Sequence, residues 1–315
     1  MHLSFVVLGN YQMAYGERLK LWARALHVDQ WTKNGLVMLA WFFSVADASQ
    51  RQIARGWESF LMAAAMAMAF AFVSSAFYLL NDVSDYDADR LHPIKRFRPI
   101  AAGNIHRFTA VRAALVLFAV GFAYPALVVM ALPSRMTAFA TMLAYTVLQC
   151  LYTGLLKKVP YLDVATLAVG FVLRAVAGAA IISAYISPWL LICTFTLSMF
   201  LALCKRRSEM QTAMACREAL KHYHPLTLKM LIVFTAVASL GEYLAYTLTS
   251  RMGDRFPLLW LTSVFVFAGL ARYLALAWQN GDTGRPEKLL LSDRWLWAAF
   301  GGYAISSVLV VALGK

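Results

Sequence analysis

An all-α, polytopic membrane protein is the fold class this sequence predicts, and three observations predict it. Of 315 residues, 61% are hydrophobic and only 14% are charged, which is too apolar for a soluble globule of this length. Apolar stretches long enough to cross a hydrocarbon core of about 30 Å recur from residue 35 onward. The Lys and Arg residues, finally, collect in alternate connections between those stretches.

In chain order, residues 1–34 carry Arg18, Lys20, Arg24 and Lys33 without a cleavable signal pattern, and are expected to form a retained interfacial amphipathic segment. Nine spans are expected after it, at 35–50, 57–80, 108–131, 136–156, 161–184, 187–204, 227–250, 257–279 and 294–313. The connections are short, so a single helical domain over 1–315 is expected, with 81–107, 205–226 and 280–293 as cytoplasmic loops carrying the active site. No internal repeat or low-complexity tract stands out.

A net charge of +13 could suggest nucleic acid, but the positive-inside rule accounts for it. With the N-terminus cytoplasmic, segments 1–34, 81–107, 157–160, 205–226 and 280–293 hold 18 Lys and Arg, against 6 on the other face: Arg51, Arg55, Arg135, Arg251, Arg255 and Lys315. This orientation puts the C-terminus outside and the whole in a bacterial-type inner membrane, with the bilayer as partner and no nucleic acid. Cys150, Cys193, Cys204 and Cys216 lack metal-ligand spacing and read as small packing residues.

The chemistry concentrates where the second span ends, at Asn81-Asp82-Val83-Ser84-Asp85-Tyr86-Asp87-Ala88-Asp89-Arg90. On a continuous helix Asp82, Asp85 and Asp89 share a wedge of about 60°, while Asp87 points elsewhere. Three carboxylates on one face call for a cation, and hard oxygen ligands, Asn81 included, suit Mg²⁺ bridging to a phosphorylated substrate. An EF-hand calcium spacing is absent. A merely solvated acidic helix end is the plainer alternative, but ionisable groups at membrane depth usually mark function. The following loop places Lys95, Arg96 and Arg98 between Pro93 and Pro99, cations able to reach the same phosphate.

This run resembles the first aspartate motif of the UbiA-type membrane prenyltransferase superfamily. From Asn81 to Gly103, especially through Asp89-Arg90-x-His92-Pro93-x-Lys95-Arg96-Phe97-Arg98-Pro99, it resembles the decaprenyl-phosphate phosphoribosyltransferase branch. Four further segments agree: Gln30-Trp31-Thr32-Lys33-Asn34, the run from Gly170 to Gly178, Lys205-Arg206-Arg207-Ser208-Glu209, and Arg272-Tyr273 with Gly284, Pro286, Glu287 and Asp293. The resemblance implies a helical bundle around a central cavity, capped by polar cytoplasmic loops, with Mg²⁺ as cofactor. Prenyltransferases of this kind usually carry a second acidic motif after the sixth helix. Here Lys205 to Glu209 is mostly basic, which suits extra phosphate held without metal. Cys204 stands where the branch would carry glycine.

The resemblance therefore implies transfer of 5-phosphoribosyl from phosphoribosyl pyrophosphate to a polyprenyl phosphate of decaprenyl type, releasing pyrophosphate, for cell-envelope glycan precursors. Asp82, Asp85 and Asp89 would be the catalytic metal ligands. Asn81, Lys33, Lys95, Arg96, Arg98, Tyr152, Lys157, Asp163, Arg174, Lys205, Arg206 and Glu209 would bind substrate. Arg174 earns its place independently, because an unpaired guanidinium inside an apolar span costs about 3 kcal/mol and should face the cavity, beside an acid or a phosphate. Asp163, eleven positions earlier, would orient Lys157 or Arg174 or support the metal site. Glu242 reads as a structural partner, and His92, His222 and His224 form no Ser/His/Asp arrangement. The alternatives are a prenyltransferase joining a polyprenyl diphosphate to an aromatic or other small acceptor, and a transporter using the acidic loop as an ion site. A homo-oligomer is open on this reading.

Overall fold

The computed structural model describes residues 15–46, 52, 56–211, 218–279, 289 and 292–313. Arg51, Arg55, Cys216, Gly284, Pro286, Glu287 and Lys315, named above, lie outside the described residues, as does most of the expected loop 280–293. Among the described residues every regular element is helical, the main ones being α1 Tyr15–Ala25, a 3₁₀ segment Val28–Met38, α2 Leu39–Ala46, α3 Trp57–Ser84, α4 Tyr86–Leu91, α5 Arg107–Ala131, α6 Met136–Gly154, α7 Leu162–Ile181, α8 Pro188–Gln211, α9 Pro225–Thr249, α10 Arg251–Arg255, α11 Ser263–Trp278 and α12 Arg294–Leu313.

Seven stretches among the described residues are long and apolar enough to cross a membrane: α3, α5, α7, α8, α9, Pro257–Trp278 and α12. Their outward faces carry large apolar side chains such as Val116, Leu127, Val237 and Val308, each more than 60% exposed, which water would not tolerate and acyl chains do. The chain is thus an all-α, multi-pass membrane protein. Two of the nine expected spans depart from that pattern. The stretch 136–156 is the helix α6, whose Thr137, Thr141, Thr146, Gln149 and Tyr152 dilute its hydropathy. The stretch 35–50 is broken: among its described residues it is 3₁₀ up to Met38 and α-helical for Leu39–Ala46, with the backbone at Val37 pressed against Gly178.

Contacts divide the chain into two compact units. The first comprises residues up to Trp31 and Ala71–Val120. Its core joins Ala25, Ala76, Leu79, Ile100, Ile105, Ala110 and Ala114, with Leu21 and Trp22 of α1 packed against it. Small residues at 76, 110 and 114 let α3, α5 and the loop at Ile100 approach closely. The indole of Trp31 donates to Ser75 Oγ at 3.0 Å and Ser75 donates to the Leu26 carbonyl at 2.7 Å, which anchors the chain after α1.

The second unit comprises Thr32–Phe70 and Gly121–Lys315. Short connections make α6, α7, α8 and α9 successive packed neighbours, with α11 against α12. Val164, Phe200, Leu203, Cys204, Tyr223, Leu228, Ile232 and Tyr273 form its core. The 3₁₀ segment lies hard against α7, so close that a Cβ on Gly178 would sit 1.8 Å from the Val37 carbonyl oxygen. Cys150, Cys193 and Cys204 are free thiols, with Cys204 wholly buried in the core.

Candidate functional site

The aspartate motif is built by a helix end that bends but keeps its hydrogen bonding. The expected single helix is interrupted: α3 stops at Ser84 and α4 starts at Tyr86, with Asp85 at φ −89°, ψ 9° between them. The Asp85 N–H still donates to the Asn81 carbonyl and the Asp89 N–H to the Asp85 carbonyl, both at 2.8 Å, so the three acids remain stacked. Asp82 and Asp89 are buried, 4% and 2% exposed, and Asp85 is half-buried. Carboxylates so placed demand positive charge.

Arg98 supplies it. Its Nη1 donates to Asp82 Oδ1 at 2.9 Å and to Asp89 Oδ2 at 2.8 Å, while Lys95 Nζ stands 3.8 Å from Asp89 Oδ1 and His27 Nε2 3.5 Å from Asp82 Oδ2. From the sequence, Arg98 is expected at a substrate phosphate. Here the guanidinium closes the pair instead, because two buried anions about two helical turns apart draw the nearest cation between them. Arg96, by contrast, is exposed and lies over the Phe97 ring at 4.8 Å.

The loop that delivers these cations is shaped by two residues. His92 Nδ1 accepts the N–H groups of Ile94 and Lys95 at 3.1 and 3.2 Å and so caps the 3₁₀ turn Lys95–Phe97. Burial, then the Lys95 charge, hold its imidazole below the ordinary value of 6.5. Gly103, at φ +77°, completes the return through bonds from its N–H to Ile100 O and from Ile105 N–H to Pro99 O. His27 and the capping role of His92 were not found from sequence, since neither follows from spacing.

The donor set fits a magnesium ion. Its ligating atoms are all hard oxygens, and Asn81 Oδ1 is buried without a hydrogen-bond partner. Among the described residues no three acidic, His or Cys side chains already form a cage, and Arg98 bonds two of the three carboxylates of the motif.

The second unit carries the other candidate residues in two clusters. Lys205 to Glu209, expected in a loop, are helical, because α8 continues to Gln211. Arg206 is 1% exposed, with Nε on Asp163 Oδ2 at 2.7 Å and Nη1 on Glu209 Oε2 at 2.6 Å, so its charge is held by carboxylates where a phosphate contact was expected. Asp163, fully buried, also accepts from the Tyr223 hydroxyl. Burial, then that bond, raise the Tyr223 phenol well above its usual value, so it stays a donor. Tyr152 lies within electrostatic reach of Arg206. Tyr152, Lys157 and Lys205 are half-buried, Lys157 in the 3₁₀ turn Leu156–Lys158.

Arg174 is 7% exposed and donates to three neutral oxygens, from Nε to Asn34 Oδ1 at 2.9 Å, from Nη1 to Gly170 O at 3.0 Å and from Nη2 to Tyr145 Oη at 2.8 Å. The rings of Tyr145, Phe171 and Phe70 lie 4.6, 5.3 and 6.0 Å from its guanidinium carbon, spreading the charge without a formal anion at those contacts. These neutral oxygens and rings, Asn34 of the Gln30–Asn34 motif among them, form a polar and aromatic cage around the guanidinium. Lys33 is half-buried beside it in sequence. Glu242 accepts from Thr196 Oγ1 at 2.9 Å. Arg272 and Asp293 form an ion pair at 2.7 Å that ties α11 to the start of α12.

Acidic residues buried at a helix end under a lysine- and arginine-rich loop, on a multi-pass helical scaffold, define a membrane transferase that handles phosphate. The UbiA prenyltransferase family model matches residues 39–299, and the chain belongs to that family. It is 33% identical to the decaprenyl-phosphate phosphoribosyltransferase of Corynebacterium glutamicum, over 87% of this chain and 81% of the relative. It is 30% identical to the enzyme of that name from Mycobacterium tuberculosis, over 90% and 93%. Among solved structures, a UbiA homolog from Archaeoglobus fulgidus bound to GPP and Mg²⁺ superposes with a TM-score of 0.65, at 19% identity, over 93% of this chain and 98% of that one. The last likeness establishes the fold.

Proposed function

We propose that this enzyme transfers the 5-phosphoribosyl group of phosphoribosyl pyrophosphate to a polyprenyl phosphate of decaprenyl type, releasing pyrophosphate. The observation that carries the reading is the buried Asp82 and Asp89 pair clamped by Arg98 under a basic loop, an arrangement suited to a metal-bound diphosphate. The two phosphoribosyltransferase relatives support the choice of donor. So does Lys205, which stands where a site for prenyl diphosphate would carry acids.

Asp82, Asp85 and Asp89, with Asn81, would hold Mg²⁺. That ion would supply neutralising charge to the pyrophosphate as it leaves. Lys95 and Arg96, joined by Arg98 once its carboxylates are otherwise neutralised, steady the same leaving group. The C1–O bond of the ribose breaks with its electron pair going to pyrophosphate, and an oxygen of the lipid phosphate forms the new bond to C1. No proton changes hands, so no general base is needed. Lys157, Lys205 and Lys33 are assigned to the 5-phosphate or the lipid phosphate. Arg206, Glu209 and Asp163 are assigned to holding the start of α7 and the end of α8, beside Lys157 and Lys205, and Arg174 to the buried frame of the second unit. The Lys and Arg distribution supports a bacterial inner membrane with the N-terminus and these loops cytoplasmic.

Membranes containing the protein, given radiolabelled phosphoribosyl pyrophosphate, polyprenyl phosphate and Mg²⁺, are expected to move label into the lipid fraction. Asp85→Asn is expected to abolish the transfer while remaining folded in detergent. Retained activity in that variant sinks the metal assignment. Product formed only from prenyl diphosphate and an aromatic acceptor would instead establish the prenyltransferase alternative on this fold.

A further inference from the structure

Tyr223 stands outside every motif, yet its hydroxyl sits at a junction of three chain segments. It donates to Asp163 Oδ1 at the start of α7 and accepts the Tyr161 N–H at 3.0 Å, and its ring packs on the Tyr161 ring with centroids 4.6 Å apart. Tyr223 is 4% exposed, and Asp163 and Arg206 are nearly inaccessible. The 3₁₀ turn Glu218–His222 just before Tyr223 packs on the 3₁₀ turn Leu156–Lys158.

Tyr161 has φ +65°, a left-handed conformation that an aromatic residue adopts only when its surroundings impose it. The backbone there must turn sharply to enter α7, and the Tyr223 hydroxyl takes up the N–H that this turn exposes. Lys157 lies four residues earlier, on the same short connection between α6 and α7.

We infer that Tyr223 is a positioning residue: it latches the α6–α7 turn in the strained form that presents Lys157 to a phosphate of the substrate. The latch has two bonds, one to the turn's backbone and one to the buried Asp163–Arg206–Glu209 chain, so the α8 and α9 ends are fixed in register with the turn. This inference rests on the phosphoribosyl reading above, and Tyr223 itself touches no reacting atom.

The test uses the full chain in lipid nanodiscs, comparing wild type with Tyr223→Phe, which keeps the ring and loses both hydrogen bonds. Hydrogen exchange at the Tyr161 amide is expected to speed up roughly tenfold. The KM for phosphoribosyl pyrophosphate or for polyprenyl phosphate is expected to rise roughly fivefold, with kcat within about twofold of wild type. Adding Tyr161→Gly, which accepts the positive φ without strain, is expected to recover part of the lost affinity. Unchanged KM values overturn the inference whatever the exchange shows, and so does a fall in kcat alone, which a loosened fold would give. A wild-type chain inert toward phosphoribosyl pyrophosphate overturns the functional reading and this inference together, whereas normal wild-type turnover with an unaffected variant overturns only the inference.

Discussion

Replacing Arg98 with Met removes a side chain that bonds both buried acids of the motif. Breaking a buried ion pair by deleting one partner costs about 3–5 kcal/mol, because the surviving charge stays in a poorly solvated place. Asp82 and Asp89 are that deeply placed, but Arg98 is 31% exposed, and Lys95 and His27 remain 3.8 and 3.5 Å from the two carboxylates. A loss of about 2 kcal/mol is therefore expected in the absence of metal. Intrinsic tryptophan fluorescence during thermal unfolding in detergent with a chelator measures it, as a melt several degrees below wild type. If the same carboxylates take up Mg²⁺, the ion at a hundred times its Kd returns about 2.7 kcal/mol, and the two melts draw together as Mg²⁺ is added. A variant as stable as wild type under chelation, or melts that Mg²⁺ leaves unmoved, would refute the clamp and the metal assignment respectively.

Gly178→Ala is expected to destabilise the second unit by about 3 kcal/mol or more, read by the same melts, because its Cβ would meet the backbone of Val37 rather than a side chain free to turn aside. Asp293 gives a pH-dependent case: the bond from Arg272, helped by the Trp295 and Leu296 N–H groups, holds its carboxyl below the ordinary 3.8. A depressed folded value means the contribution is complete above the unfolded value and is lost as pH falls through the folded one. Wild type is thus expected to melt above Asp293→Asn at neutral pH, with the gap closing below about pH 3.8 in a series of melts.

The acidic motif was legible because it is local. Asn81, Asp82, Asp85 and Asp89 lie within three turns of one another, so helical geometry alone stacked them, and the bend at Asp85 did not undo it. The basic residues were legible as charges but not as roles. Arg98, sixteen positions from Asp82, and Arg206, forty-three from Asp163, find carboxylates through chain turns that their neighbours in sequence do not announce. A cation near a phosphate site and a cation pinned to a buried acid read alike as letters, and only burial distinguishes them.

Composition and periodicity by themselves determined that this is an all-α, multi-pass membrane protein, since apolar runs of membrane length leave no soluble solution. The motif residues then determined the family. Tertiary structure decided that the 35–50 stretch breaks into 3₁₀ and α pieces against Gly178, that Lys205 to Glu209 extend a helix, and that Arg174 rests among Asn34, Tyr145 and Gly170. Each depends on a partner more than 100 residues away or on a neighbouring helix, and desolvating a charge is costly enough that the partner which arrives, not the local pattern, settles where the side chain goes.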